Sequence, residues 1–312
     1  MNSTCTFSLQ WNSVNRTIRV PVLCVCIIGT IIHSIFWFQL IFSGIIREKT
    51  MQWLYAYLIV DILVLFRFFF TFIVRMTSTE CELNHIWFFF NCYFEAFIDI
   101  YLNSIGAYIL LGLNICRYVQ IVHRTNFKSN NLIHLIIYLT PLINFLIQII
   151  LQWARLDIQI GVTCRIEYIN IYVRLFNTII LFILPVCLNI GVIYASICYI
   201  HSTVHLQHRA TAREKYHRSL VFQFFIFYIV WFLLWSPNIV ASQFTTDVYT
   251  IFSVRLLSFI EIALDPFIIS ALDVRIWNLW QNIWRIIRNR CMIQQRQIQP
   301  THMNPHVISI QS

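Results

Sequence analysis

Seven long apolar runs are the feature that most constrains how this chain can fold. They lie at residues 20–45, 52–74, 86–115, 132–153, 171–200, 219–241 and 250–272. A helix that crosses a lipid bilayer needs roughly 20 apolar residues, and each run is long enough to supply them. The runs lack the alternation of barrel strands, and a helix satisfies its own backbone hydrogen bonds inside lipid. The sequence therefore predicts an all-α bundle of seven transmembrane helices.

The scarcity of charge excludes several other classes of protein. Of the 312 residues, 59% are hydrophobic and only 11% are charged, whereas an ordinary soluble domain is about 25% charged. This balance excludes a soluble enzyme, a disordered chain and a small secreted disulfide-rich domain. The chain also has only 6 glycines and no glycine-rich phosphate loop. We therefore predict a membrane protein that is not an enzyme and that has no catalytic metal.

The distribution of basic residues predicts how the chain is oriented. Apart from Arg67 within the second run, 14 lysines and arginines fall on the side of the first, third and fifth connections, against 7 on the other side. Basic residues favour the cytoplasmic side, so we expect a multi-pass plasma-membrane protein with its N-terminus outside. The glycosylation sequons at Asn2 and Asn15 agree with this orientation. The net charge of +9 is then explained by anionic lipid, without any need for nucleic acid.

The cysteines suggest one disulfide on the outer side. Cys92 begins the third run, and Cys164 lies in the loop between the fourth and fifth runs. Both face the oxidising compartment in the predicted orientation, which makes a bridge between them plausible. Cys5 and Cys81 lie on the same side and are competing partners. Residue positions alone leave this pairing open.

Short motifs within the runs resemble the rhodopsin-like class of G-protein-coupled receptors. The third run ends with Cys-Arg-Tyr, similar to the Asp-Arg-Tyr signature of that class, and the sixth contains Trp-Ser-Pro. The seventh run contains Asp-Pro-Phe-Ile-Ile, similar to Asn-Pro-x-x-Tyr. The matching positions, from about residue 20 to 290, are Asp61, Cys92, Cys116–Tyr118, Pro185, Trp235–Pro237 and Asp265–Ile269. Cys116 departs from the family's acid and Ile269 from its tyrosine, so the usual resting locks are altered.

The resemblance implies roles for particular residues. A heterotrimeric G protein would be the cytoplasmic partner, and Cys92 and Cys164 would be the disulfide pair. Because Cys116 replaces the acid beside Arg117, we expect measurable basal signalling. The implied coupling and switch residues are Arg117, Tyr118, Trp235, Pro237 and Pro266. The implied ion and water pocket contains Asp61, Asp265 and Glu261, with a possible sodium ion near Asp61; the alternative is a neutral, water-bridged polar cluster.

Asp99 is the main candidate for a ligand contact. It lies 18 residues before Arg117, which is five helical turns and therefore the same helix face. In the family, an aspartate here often pairs with a ligand ammonium, so we predict an extracellular amine or neuropeptide ligand. The alternative is that Arg67 already neutralises Asp99 or Glu95. The predicted ligand contacts are Asp99, Glu95, Trp235, Asn238 and Asn177.

The chain after the seventh run predicts a short eighth helix on the membrane surface. Its tryptophans and isoleucines recur at helical spacing between arginines, as in an amphipathic helix. The predicted organisation is an extracellular segment at 1–19, the transmembrane domain at 20–272, the amphipathic helix at 273–290 and a cytoplasmic tail at 291–312. Alternative functions are a chemosensory receptor and, with less support, an intramembrane cation transporter or channel.

Overall fold

The described part of the chain consists almost entirely of helices. The computed structural model describes residues 13–43, 52–78, 85–123, 131–153, 158–160, 164, 166–206, 212–244 and 248–272, together with 276–278, 280, 281, 285 and 288. The helices and strands are α1 (Ser13–Ser43), α2 (Gln52–Thr77), α3 (His85–His123), α4 (Asn131–Trp153), β1 (Ile158–Ile160), β2 (Ile166–Tyr168), α5 (Ile171–Thr178), a π-helical turn (Ile179–Ile183), α6 (Leu184–Leu206), α7 (Ala212–Phe244) and α8 (Val248–Leu272).

Seven helical spans follow the seven predicted runs within these described residues. The fifth span is continuous through α5, the π-helical turn and α6, while α7 and α8 are the sixth and seventh spans. Five spans are long and apolar enough to cross a membrane, at Thr17–Phe42, Gln52–Thr77, Ile86–Val122, Ile133–Leu151 and Ile171–Ser202. The sixth span has a shorter apolar stretch, Phe225–Ala241, and the seventh contains ionisable residues. The predicted seven-helix fold is confirmed.

The spans place polar side chains inside and apolar side chains outside. In α4, Gln148 is 3% exposed, whereas Ile150 is 64% exposed. Asn144 on the same helix is also buried. A soluble protein would show the opposite pattern, because an exposed apolar face is costly in water and favourable in lipid. This distribution is that of a multi-pass membrane protein.

The π-helical turn in the fifth span is a feature that the sequence analysis did not anticipate. It lies just before Pro185, which has no backbone N–H and therefore donates no backbone hydrogen bond. A wider turn leaves carbonyl groups available to other partners. One of them, the carbonyl of Ile180, accepts a 2.9 Å hydrogen bond from the hydroxyl of Tyr108 on α3. The turn therefore joins the third and fifth spans.

A short hairpin between α4 and α5 adds two strands to the predicted all-α bundle. β1 and β2 pair antiparallel, with Ile158 opposite Tyr168. Cys164 lies in the connection between the two strands and forms a disulfide with Cys92 of α3. The predicted disulfide is confirmed, and Phe88 packs beside it. The other two candidate cysteines, Cys5 and Cys81, lie outside the described residues. We call the end of the bundle that carries this bridge the disulfide end.

The chain divides into two compact units, Met1–Pro266 and Phe267–Ser312. In the second unit, residues 276–278 are helical, with Ile276 buried and Trp277 exposed, and the amphipathic helix at 273–290 stays a prediction. The indole Nε1 of Trp280 donates to the hydroxyl of Ser270 at 3.0 Å, and its ring contacts Phe267. Residues 1–12 and the predicted tail 291–312 lie outside the described residues.

Candidate functional site

The third span organises the candidate site. α3 packs against α2, α4 and α6, so it is a central helix of the first unit. Glu95 and Asp99 lie near its disulfide end, whereas Cys116 and Arg117 lie near its other end. The 18 residues between Asp99 and Arg117 span roughly 27 Å of helix. One helix therefore carries two of the predicted ligand contacts, Glu95 and Asp99, and the predicted coupling residue Arg117.

Ionisable side chains from four spans meet at the disulfide end. Two ion pairs converge on Asp99. Its Oδ1 accepts from Arg67 Nη2 of α2 at 2.8 Å, and its Oδ2 accepts from Arg255 Nη2 of α8 at 3.0 Å. Glu95 Oε2 accepts from Nε of Arg75 at 2.8 Å and also from its Nη2. We call the following six side chains the charge cluster: Arg19, Arg67, Arg75, Glu95, Asp99 and Arg255.

Helical spacing explains why these groups meet. Glu95 and Asp99 are four residues apart, and Arg67 and Arg75 are eight apart, so each pair lies on one helix face. Arg19 of α1 lies within electrostatic range of Glu95 and of the other three arginines. Of the alternatives left open by the sequence, Arg67 pairs with Asp99. The sequence analysis missed the roles of Arg75 and Arg255, for which the only signal was their position at the outer ends of spans.

Asn103 connects the charge cluster to the sixth span. Its Nδ2 donates to Asp99 Oδ1 at 3.2 Å, and its Oδ1 accepts from Trp235 Nε1 of α7 at 3.1 Å. The ring of Trp235 stacks on Trp231, with a centroid separation of 4.4 Å. Asn238, a predicted ligand contact, is buried about one turn after Trp235. The sequence analysis missed Asn103, although its position four residues after Asp99 placed it on the same face.

Asn177, another predicted ligand contact, belongs to a separate polar group between α4 and α5. Its Oδ1 accepts from Gln148 Nε2 at 2.5 Å and from Asn144 Nδ2 at 3.3 Å. Its Nδ2 donates to the hydroxyl of Tyr168 at 2.6 Å. All four side chains are buried. Asn177 thus makes hydrogen bonds to protein on the α4 side, and none of these three hydrogen bonds joins it to the charge cluster.

Three buried carboxyl groups meet between α2 and α8. We call Asp61, Glu261 and Asp265 the carboxyl cluster. The Tyr57 hydroxyl lies 2.9 Å from Glu261 Oε1 and 2.7 Å from Asp265 Oδ2. Asp265 is also hydrogen-bonded to Asp61 and to Glu261. A hydroxyl has one proton, and two carboxyl groups can hydrogen-bond only through a proton. At least one of the three carboxyl groups must therefore be protonated. The structure brings the three predicted pocket residues together.

Among the residues that the structure describes, no group of three or more histidine, cysteine, aspartate or glutamate side chains is arranged to hold a metal ion.

A histidine hydrogen bond lies beside the carboxyl cluster. His33 of α1 is buried, and its Nε2 donates to the Ile262 carbonyl at 2.9 Å, since a carbonyl oxygen can only accept. This bond ties the first span to the seventh beside the carboxyl cluster.

The predicted coupling residues lie at the end of the bundle opposite the disulfide. Arg117 Nη1 donates to Gln120 Oε1 at 3.3 Å. Cys116 is buried beside it, and Tyr118 is partly buried. Pro237 lies within α7 and Pro266 within α8, as the sequence predicted.

The predicted glycosylation residue Asn15 falls in the first turn of α1, and Asn2 lies outside the described residues.

Comparisons with known proteins establish the fold. No family model matches the chain, and no curated protein matches it. Among solved structures, the crystal structure of squid rhodopsin superposes with a TM-score of 0.68. The alignment covers 91% of this chain and 94% of squid rhodopsin at 12% sequence identity. This chain has the rhodopsin fold. Within the rhodopsin fold, the charge cluster lies at the disulfide end, and Arg117 lies at the opposite end.

Proposed function

We propose that this chain is a rhodopsin-like G-protein-coupled receptor of the plasma membrane, with its N-terminus outside. It converts binding of an extracellular ligand at the disulfide end into activation of a heterotrimeric G protein. One observation carries this proposal above the others. A continuous chain of hydrogen bonds runs from Arg67 and Arg255 through Asp99 and Asn103 to Trp235. It joins the second, third, sixth and seventh spans.

The chain of contacts suggests how a ligand is sensed. A ligand that changes the partners of Asp99 also changes the hydrogen bonds available to Asn103, and so the position of Trp235. Trp235 lies two residues before Pro237, where the helix lacks a backbone hydrogen bond and bends easily. Movement of the sixth span about this point exposes the face that a G protein binds. The ligand acts by favouring one of two existing conformations.

Arg117 and Tyr118 are the proposed G-protein contacts. Cys116 cannot form the ion pair that an acid at this position would offer to Arg117. The resting conformation is therefore held less tightly, and we propose measurable basal activity. Pro266 supplies a second bend in the seventh span.

The carboxyl cluster contributes to the same conformational change. Its hydrogen bonds hold the second and seventh spans together through Tyr57. Among the residues that the structure describes, the oxygens Asp61 Oδ2 and Asp265 Oδ1 are buried and have no hydrogen-bond partner. Such oxygens suit a small hard cation, so a sodium ion near Asp61 remains part of the proposal. The ion would supply positive charge between the two spans when a proton is lost.

The ligand class predicted from sequence is an amine or a neuropeptide. Asp99, Glu95, Trp235, Asn238 and Asn177 are its proposed contacts. A chemosensory ligand would bind through the same charge cluster, whereas a cation transporter or channel would use the carboxyl cluster instead. These alternatives differ in what crosses the membrane, because a receptor passes no ions.

The test uses the full chain with an accessible tag on each end. We expect only the N-terminal tag to be labelled on intact cells, and we expect activation of a promiscuous G-protein reporter by a member of an amine, neuropeptide and odorant panel. Arg117→Ala should abolish the signal while cell-surface labelling and ligand binding persist. Labelling of both tags from one side, or ion flux in proteoliposomes without another protein, would overturn the proposal.

A further inference from the structure

The charge cluster has more positive than negative charge. It contains four guanidinium groups, from Arg19, Arg67, Arg75 and Arg255, and two carboxylates, from Glu95 and Asp99. Among the described side chains that interact here, the excess is therefore two positive charges. A site that binds an ammonium group needs the opposite excess, since a nearby like charge disfavours binding. The charge balance points to a ligand of the other sign.

Hydrogen-bonding capacity shows the same imbalance. A guanidinium group offers about five N–H donors, and a carboxylate offers about four acceptor sites and no donor. Both oxygens of Asp99 already accept from arginine, and Glu95 Oε2 accepts twice from Arg75. Arg67 is buried, and its Nε has no hydrogen-bond partner in the described part of the chain. A further acceptor could therefore satisfy the Arg67 Nε donor.

We infer that the charge cluster is the binding site for an acid group on the ligand, that is, a carboxylate, sulfate or phosphate. This inference rests on the proposed receptor function and specifies its ligand. Arg255 is 27% exposed and Asp99 is 21% exposed, so an acid group reaches them without separation of the helices. A guanidinium group matches the two oxygens of such an acid with two parallel hydrogen bonds.

The acid group would also provide the first step of the response. By competing with Asp99 for Arg255, it removes one of the two arginine contacts that hold the Asp99 carboxylate. Asp99 is hydrogen-bonded to Asn103, which in turn accepts from Trp235. An acidic peptide or small organic acid fits this scheme. The amine ligand predicted from the sequence does not fit it, because an amine would have to displace arginine from Asp99 in a site with excess positive charge. The acid-binding inference therefore replaces the amine among the proposed ligand classes.

The test measures binding of simple anions to the purified full chain in phosphatidylcholine nanodiscs. Succinate and inorganic phosphate are the anionic probes, and choline is the cationic probe, with ionic strength matched by sodium chloride. We expect succinate or phosphate to raise the melting temperature in a saturable manner and choline to have no effect. Adding phosphatidylglycerol to the nanodiscs separates two sources of the acid. Competition with the probes would identify a lipid headgroup, and no competition would identify a free acid.

Charge variants then distinguish the two ligand classes, because each variant should change the binding of anions and of cations in opposite directions. Arg255→Gln should weaken succinate or phosphate binding about tenfold or more, the loss expected for a charge-assisted hydrogen bond. Asp99→Asn should strengthen it, because a competing carboxylate is lost. Arg174→Gln is the matched control, since Arg174 belongs to the fifth span and donates to the Tyr168 carbonyl instead. If Asp99→Asn does not fold, the comparison of Arg255→Gln with Arg174→Gln still shows whether anion binding depends on the charge cluster.

The inference is overturned if choline stabilises the protein and Asp99→Asn removes that effect. It is also overturned if Arg255→Gln binds the anions as Arg174→Gln does. The receptor function is scored separately with the G-protein reporter. Anion binding that depends on Arg255 in a protein that activates no G protein would reject only the receptor function. Signalling by a ligand without an acid group, unaffected by Arg255→Gln, would reject only the acid-binding inference.

Discussion

The charge cluster and the carboxyl cluster stabilise buried ionisable groups in two different ways. In the charge cluster, opposite charges pair directly, as Arg67 does with Asp99 and Arg75 with Glu95. In the carboxyl cluster, all three groups are acids, and the Tyr57 hydroxyl lies between Glu261 and Asp265. Ions inside a bilayer are costly unless they are paired or neutralised. The first cluster is paired, and the second contains at least one protonated acid.

The comparison predicts that removing one charge affects the two clusters differently. An ion pair that loses one partner leaves the other charged and buried. A proton-sharing acid that is replaced by its amide leaves a neutral group of the same shape. Amide substitutions in the two clusters therefore form a matched pair of experiments.

The largest effect is expected for Asp99→Asn. It leaves Arg67, only 6% exposed, without its carboxylate, and breaking a buried pair in this way costs about 3–5 kcal/mol. The free energy of unfolding in detergent would measure it. The double variant with Arg67→Gln should recover part of the loss, because the unpaired charge is then gone. Equal stability of the single variant and the wild type would show that this pair is not a buried ion pair.

A smaller loss is expected for Tyr57→Phe, which removes the hydroxyl shared by Glu261 and Asp265. Unsatisfied buried polar groups cost about 1–3 kcal/mol. Tyr194→Phe is the control, since this tyrosine of α6 is exposed. Its effect should be within about 0.5 kcal/mol, as for most exposed sites. Thermal unfolding of the two variants in one detergent would compare them, and equal shifts would show that the hydroxyl does not hold the carboxyl cluster together.

Trp235→Phe should cost about 1 kcal/mol through loss of the hydrogen bond to Asn103. This variant also measures the energetic coupling between Trp235 and Asp99. Combined with Asp99→Asn, its effect on stability should be non-additive by about 0.5 kcal/mol or more, since both residues bond to Asn103. Combined with Asp265→Asn, the two effects should simply add. A double-mutant cycle measures both cases, and additivity in the first would break the proposed link between charge cluster and sixth span.

The smallest effect is expected for Asp265→Asn, with a change in unfolding free energy below about 1 kcal/mol. The amide preserves the shape of the acid and can both donate and accept hydrogen bonds, so few bonds are left unmade. The measurement is the same detergent unfolding experiment as for Asp99→Asn. A loss as large as that of Asp99→Asn would mean that Asp265 is an ionised partner and that the contrast between the clusters is wrong.

The helical spans were predictable because the bilayer imposes a length and a composition on any segment that crosses it. The resemblance to the rhodopsin-like class implied a common pocket for Asp61 and Asp265, with Glu261 one helical turn away. The π-helical turn was not predictable, because Pro185 shows where a backbone donor is missing and not which carbonyl Tyr108 will use. The hairpin was missed because strands of three residues leave little pattern.

The candidate site was likewise predictable only in part. The sequence determined the seven spans, because lipid selects for local apolar length. It also determined which residues share a helix face, so Asp99 was a candidate ligand contact and Arg67 a candidate partner for it. Only the tertiary structure decided which face meets which. It paired Arg75 with Glu95, brought Arg255 from the seventh span to Asp99, and directed Asn177 toward α4. Such contacts depend on how distant helices pack and rotate, and no local stretch of sequence encodes that packing alone.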